Sequence, residues 1–194
     1  MLGEWCYTAN AISKEDCEKF IKLCLEKKKL ESATIGVEGL VDTNVRRSRT
    51  VIIEKKDPVF KELFNFLWEV GMEANDTWFK FHITRLYYFQ FTEYDASYQG
   101  EFKTHQDVFW MNGDPEYHRK QSLVLQLSDP ADYVGGELEF TGLSGAYPTE
   151  EQKVEMKNQG SVINFPAFIQ HCVKPVTEGK RYSLCCWFEG PKWR

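Results

Sequence analysis

The chain has 194 residues, of which 42% are hydrophobic and 27% charged, with a formal net charge of -5. Those proportions are ordinary for a globular protein and exclude an intrinsically disordered chain, and the length suits one hydrophobic core. The acidic balance gives no general attraction to a phosphate backbone and disfavours nucleic acid as a partner.

No run of about 18 apolar residues is present, and the N-terminus lacks a basic segment followed by a hydrophobic one. The expectation is therefore an intracellular, cytoplasmic protein with no membrane span. The six cysteines, Cys6, Cys17, Cys24, Cys172, Cys185 and Cys186, form no C-x-x-C pair and are read as reduced, buried thiols.

In chain order, Ser13 followed by Asp16 forms a capping box that opens a helix over roughly 14 to 29, with Cys17, Phe20, Ile21, Cys24 and Leu25 on one face. The basic cluster Arg46, Arg47 and Arg49 precedes an apolar run and is read as a solvated or ion-paired edge. Asp57-Pro58 starts a second helix, in which Phe60, Leu63, Phe64 and Leu67 repeat at helical spacing.

From Trp78 the period becomes two: Phe79, Phe81, Ile83, Tyr87, Phe89 and Phe91 alternate with more polar neighbours, as in a half-buried strand. Further strands are predicted at Leu123 to Leu127, Leu138 to Phe140, Val154 to Met156, Ser161 to Phe165, Cys172 to Val176 and Arg181 to Phe188, with Gly135-Gly136, Gly142, Gly145 and Gly179 as turns. The stretch Val108 to Gln121 is read as a loop able to act as a lid, with His118 solvated in it. His82 is assigned a surface or structural place.

Helices followed by many short strands, without βαβ alternation, predict an α+β, mainly β domain: a sandwich or jelly roll braced by N-terminal helices. Nothing divides the chain, so residues 1–194 are read as one domain, with helical support over roughly 13–75 and the β core over roughly 78–190.

The chemistry gathers in three places. His105-Gln106-Asp107 puts an imidazole and a carboxylate on one side of an extended strand, although a structural ion pair explains that triplet equally well. His171 adds a second imidazole. Two imidazoles and one carboxylate on a single face leave coordination positions open, the pattern of non-haem Fe(II) oxygenases, whereas zinc prefers a tetrahedral site. Arg181 and Ser183, two apart on the last predicted strand, suit the distal carboxylate of a dicarboxylic co-substrate.

Taken together, His105-Gln106-Asp107, Gly135-Gly136-Glu137-Leu138, and the run Phe165-Pro166, His171, Pro175-Val176 and Gly179-Lys180-Arg181-Tyr182-Ser183 resemble the 2-oxoglutarate/Fe(II) dioxygenases. The likeness is to their prolyl 4-hydroxylase-like branch and covers roughly Arg46 to Phe188. It implies a double-stranded β-helix of cupin-like form, with Fe(II) held by His105, Asp107 and His171 and 2-oxoglutarate anchored by Arg181 and Ser183. Tyr94 is the candidate for a tyrosine on the co-substrate, in a segment whose spacing departs from the family's pattern.

The implied reaction uses O2, releases succinate and CO2, and hydroxylates an unactivated C–H bond of a peptidyl or free amino acid such as proline. A small-molecule, peptide or protein substrate would be the partner. Two alternatives stand beside it: an oxidative demethylase on the same iron site, distinguished by formaldehyde release, and a non-catalytic cupin-like metal- or ligand-binding module. Trp110, Tyr117 and Tyr133 are left outside the candidate site.

Overall fold

The computed structural model describes residues 3–27, 29–36, 39–111 and 113–193. Its strands are β1 (Cys6–Thr8), β2 (Glu31–Ser32), β3 (Arg46–Arg47), β4 (Arg49–Glu54), β5 (Tyr88–Asp95), β6 (Glu101–His105), β7 (Tyr117–Gln126), β8 (Tyr133–Gly135), β9 (Leu138–Phe140), β10 (Val162–Pro166), β11 (His171–Val173) and β12 (Val176–Pro191). Helices α1 (Lys14–Lys27) and α2 (Lys61–Ala74) precede most of them, and α3 (Glu150–Lys157) falls between β9 and β10.

The strands form two antiparallel sheets. The larger runs β1-β10-β7-β12-β5-β4-β2, with β8 paired to β12, and the smaller runs β3-β6-β11-β9. This is the expected jelly roll with helical bracing.

Period-two alternation explains how one strand serves two masters. On β12, Leu184, Cys186 and Phe188 enter the main core with Phe60, Leu63, Phe64 and Leu67 of the helical layer. Their neighbours Arg181, Ser183, Cys185 and Trp187 face a cavity between the sheets. Each fully buried Leu or Phe contributes about 1.5–3 kcal/mol, so the helix-covered face stabilises the wall on which the polar face stands. Gly71 of α2 permits the close approach: a Cβ there would lie 2.0 Å from Cζ of Phe188.

Several sequence expectations need correction. The alternation from Trp78 is not strand at its start: residues Asn75–Phe79 form a π-helical turn. The Asn75 side chain closes it, accepting from Phe81 N (2.8 Å) and donating to Phe81 O (3.0 Å), with Lys80 left-handed at φ 58°. The strand proper begins at Tyr88.

Val154 to Met156 lies in α3 rather than a strand, because Thr149 and Gln152 form a reciprocal capping box that satisfies the first-turn N–H groups. Among the described residues, Val108 to Gln121 is a loop only as far as Glu116, since Tyr117 starts β7. His118 is therefore buried on a strand, where Nδ1 accepts from Trp193 N at 3.3 Å. His82 is exposed, as expected.

The first helix ends at Lys27 among the described residues; Lys28 lies outside them and Lys29 is not helical. All six cysteines are free, but Cys6 and Cys185 are only half-buried. Of the basic cluster, Arg47 and Arg49 do pair with carboxylates, Glu101 at 2.8 Å and Glu93 at 3.9 Å. Arg46 departs from its expected place: it is buried and faces the cavity.

Candidate active site

β11 pairs with β6 so that His171 stands directly opposite His105, and their ring centroids lie 4.3 Å apart. Asp107 follows the end of β6. Its main-chain N–H donates to Ala167 O at 2.9 Å, turning the chain so that its side chain still converges with His105. Asp107 Oδ1 is 3.6 Å from His105 Nε2, and Oδ2 is 3.6 Å from His171 Nε2. Among the described residues, one ligand atom from each of the three can be chosen with all lying within 4.8 Å of one another.

The orientation of each ring is fixed from behind. His105 Nδ1 is 2.8 Å from Lys103 O and His171 Nδ1 is 2.9 Å from Ile169 O. A carbonyl can only accept, so each Nδ1 carries the proton and each Nε2 presents a lone pair inward. His105 stacks on Phe102 with centroids 3.5 Å apart, and His171 meets Phe165 edge-on at 4.6 Å.

Ser122 Oγ donates to Asp107 Oδ2 at 2.6 Å. Burial alone would push the Asp107 carboxyl up, but the facing His171 and His105 hold it well below the usual carboxylate range. Burial dominates at His171 and lowers its pKa to about 4 against the pull of Asp107. The set at neutral pH is one carboxylate and a neutral His171 lone pair, the donor chemistry that a divalent iron requires.

The cavity holding this cluster has a volume of about 430 Å³. Arg181 lies within it, 1% exposed. Its Nε and Nη2 both donate to Gln126 Oε1, at 3.2 and 2.8 Å, while buried Nη1 makes no well-formed hydrogen bond among the described residues, with the Tyr133 hydroxyl close to the guanidinium. A buried guanidinium with an unanswered N–H is built to meet an acceptor that a ligand brings. Tyr94, opposite Arg181 in the β12·β5 register, is 3% exposed, with its ring centroid 5.3 Å from the guanidinium carbon. Burial raises the Tyr94 hydroxyl despite Arg46 and Arg181.

The structure thus brings all six expected residues, His105, Asp107, His171, Arg181, Ser183 and Tyr94, into one cavity. Cys172 is not among the residues lining it, as its place on the opposite strand face predicts.

Polar and aromatic cavity residues that escaped sequence reasoning include Arg46, Arg119, Ser122 and Trp187. Trp187 was readable, since it continues the two-residue period of Arg181 and Ser183. Arg119 was not. The β12·β7 register jumps from Phe188↔Gln121 to Glu189↔Arg119, leaving Lys120 as an extra residue, and such a bulge turns the following side chains to the other face. Arg119 is thereby aimed into the cavity, where Nη1 donates to Asp107 O (3.3 Å) and Nη2 to the Tyr88 hydroxyl. Its guanidinium carbon lies 3.9 Å from the centroid of the Trp187 ring.

Comparison with known proteins agrees with this geometry. The sequence model of the 2OG-Fe(II) oxygenase superfamily matches residues 89–189, just over half of the chain. A PKHD-type hydroxylase of Shigella sonnei is 32% identical over 96 residues, 50% of this chain and 37% of that protein. A PKHD-type hydroxylase of Pseudomonas fluorescens is 38% identical over 91 residues, 45% of this chain and 38% of that protein. The matched stretch thus spans little more than a third of these relatives.

Among solved structures, a prolyl-4-hydroxylase of Pseudomonas putida superposes with a TM-score of 0.71 at 18% identity, covering 96% of this chain and 93% of the other. A prolyl hydroxylase of Trichoplax adhaerens, in complex with a hypoxia inducible factor peptide fragment, gives 0.74 at 15% identity, covering 95% and 83%. At such identities the likeness is one of fold. The family uses Fe(II) with 2-oxoglutarate, and O2 as the other co-substrate. The jelly roll, the clustered His, Asp and His, and the family match together place this chain in the 2OG-Fe(II) oxygenase superfamily.

Proposed function

We propose that the chain is a 2-oxoglutarate-dependent hydroxylase whose Fe(II) is held by His105 Nε2, an Asp107 carboxylate oxygen and His171 Nε2. Bound iron and 2-oxoglutarate supply O2 activation, with 2-oxoglutarate converted to succinate and CO2. The carrying observation is the coincidence, in one cavity, of three ligand atoms within 4.8 Å of one another and a buried Arg181 Nη1 without a well-formed hydrogen bond among the described residues.

The protein's own contribution is to bind, orient and exclude water. The carbonyls of Lys103 and Ile169 hold the proton on each Nδ1, so that each imidazole offers Nε2, and such outer partners commonly set ligand orientation and basicity. Ser122 steadies Asp107 by holding one of its oxygens. Arg181 takes the distal carboxylate of 2-oxoglutarate, Gln126 fixes its fork, and Ser183 on the same strand face adds a hydroxyl. Tyr94 packs against that anchor as the tyrosine of the co-substrate pocket.

For the primary substrate, the reading is a C–H bond of a peptidyl or free amino acid such as proline. It is supported by structural neighbours described as prolyl hydroxylases, one of them bound to a peptide fragment. Fold does not fix substrate. The test is ¹³C NMR of 2-oxoglutarate incubated aerobically with iron-loaded protein: succinate and CO2 form with wild type and not with Asp107→Ala. No succinate from iron-loaded wild type, with or without a panel of prolyl peptides and amino acids, would contradict the proposal; formaldehyde among the products would redirect it to demethylation.

A further inference from the structure

The arginines among the described residues divide into two groups. Arg47, Arg49 and Arg85 are each paired with a carboxylate: Glu101 at 2.8 Å, Glu93 at 3.9 Å, and both Glu189 at 2.6 Å and Asp114 at 2.8 Å. Arg46, Arg119 and Arg181 make no salt bridge among the described residues, and these three line the cavity of the His-Asp-His cluster. Arg46 and Arg181 are buried and Arg119 is half-buried, and an uncompensated charge away from water is expensive. Three gathered in one cavity of an acidic chain call for an anionic ligand.

Counted over the residues that line the cavity, one anion leaves positive charge in excess. Among the residues lining the cavity are three guanidiniums and one carboxylate, Asp107, giving 3 − 1 = +2. Fe(II) and the 2-oxoglutarate dianion cancel one another, so the excess of +2 persists once both are bound. Arg181 is committed to the co-substrate, which leaves Arg46 and Arg119.

Neither of these forms a salt bridge with the protein among the described residues, and each keeps N–H donors unused. Arg46 is 7% exposed; its Nε donates to Ser48 Oγ (2.8 Å) and its Nη1 to Thr34 O (3.4 Å), with no bond from Nη2 among the described residues. It lies over Phe102, 4.5 Å from the ring centroid, the same ring on which His105 stacks. Arg119 uses one hydrogen bond from each terminal nitrogen, leaving the rest of its five donors. Beside it Trp187 is 9% exposed, with an indole N–H that is buried and unpartnered.

We propose that the primary substrate carries a carboxylate, received by Arg46 and Arg119 with the Trp187 indole N–H on the same wall. This rests on the iron and 2-oxoglutarate reading above and narrows it: a free amino acid, a chain terminus or an acidic side chain fits, and a neutral internal peptide segment does not. Planar guanidinium forks match a carboxylate in shape as well as charge.

The experiment uses anaerobic protein loaded with Fe(II) and 2-oxoglutarate, titrated with N-acetylglycine, N-acetyl-L-alanine and benzoate and with the primary amide of each. The readout is the shift of the visible band of the bound keto acid. Each acid should half-saturate at about tenfold lower concentration than its amide, one charge-assisted contact being about 1.4 kcal/mol or more. The preference should disappear in Arg46→Gln and return in Arg46→Lys, with the keto-acid titration itself unchanged. Amides as effective as acids, no shift from either series, or an Arg46→Gln variant that needs far more keto acid would overturn the inference while leaving the iron site standing. No band at all in wild type would remove the reading beneath it and the inference with it.

Discussion

Replacing Arg181 by alanine tests how the co-substrate is held. Nε and Nη2 are occupied by Gln126, and only Nη1 is left buried without a well-formed hydrogen bond among the described residues, so the distal carboxylate of 2-oxoglutarate should bind on the Nη1 side of the fork. One charge-assisted contact of this kind is worth about 1.5–3 kcal/mol, roughly 10- to 10²-fold in affinity at 1.4 kcal/mol per decade. The side chain is 1% exposed, so its loss also leaves the Gln126 amide oxygen without donors, and lower stability is expected alongside. The assay separates the two effects by comparing 2-oxoglutarate with 2-oxobutyrate, which lacks the distal carboxylate, by calorimetry on Mn(II)-loaded protein. Wild type should prefer 2-oxoglutarate by that factor and Arg181→Ala by almost nothing. A preference that survives the substitution would refute Arg181 as the anchor, whatever happens to the absolute affinities.

Removing the hydroxyl in Ser122→Ala should weaken metal binding about 10- to 100-fold, as for other groups that orient a ligand; competition with a fluorescent chelator measures it, and unchanged affinity would reduce the 2.6 Å contact to packing. Gly71→Ala places a Cβ against the Phe188 ring and should destabilise by about 1–3 kcal/mol in urea unfolding, because overpacking a filled core forces its neighbours apart. Metal-free protein should lose stability as the pH falls below the ordinary histidine range near 6.5. Burial lowers both His118 and His171, so the unfolded chain takes up protons that the folded one refuses, and stability present above that range declines below it. Thermal unfolding at pH 7.5, 6.5 and 5.5 shows the trend, and His118→Gln should shrink it.

Much of the fold was legible because its parts obey local rules. The apolar stripe of Phe60, Leu63, Phe64 and Leu67 gave the helix that covers the larger sheet, and alternation from Arg181 gave the two-faced strand. The aromatic alternation after Trp78 misled, because the same residues pack around a π-helical turn fixed by Asn75. Val154 to Met156 misled for a different reason: three residues cannot distinguish strand from helix, whereas the Thr149 and Gln152 capping box just before them could have.

In the site, His105, Asp107, His171, Arg181, Ser183 and Tyr94 were all named from sequence, through spacing and family resemblance together. Arg46 and Arg119 were not. The first sits in a run of arginines whose members look alike until Arg47 and Arg49 are seen paired with carboxylates. The second depends on a bulge defined by the partner strand, information that no local window of residues holds.

The most direct test of the account is anaerobic titration of metal-free protein with Fe(II) and then 2-oxoglutarate, in wild type and Asp107→Ala, watching for the visible charge-transfer band of an iron-chelated keto acid. Wild type should show the band and Asp107→Ala should lose it. Iron-loaded wild type that shows no band, or an Asp107→Ala variant that keeps it, would contradict the assignment of His105, Asp107 and His171 as the iron site.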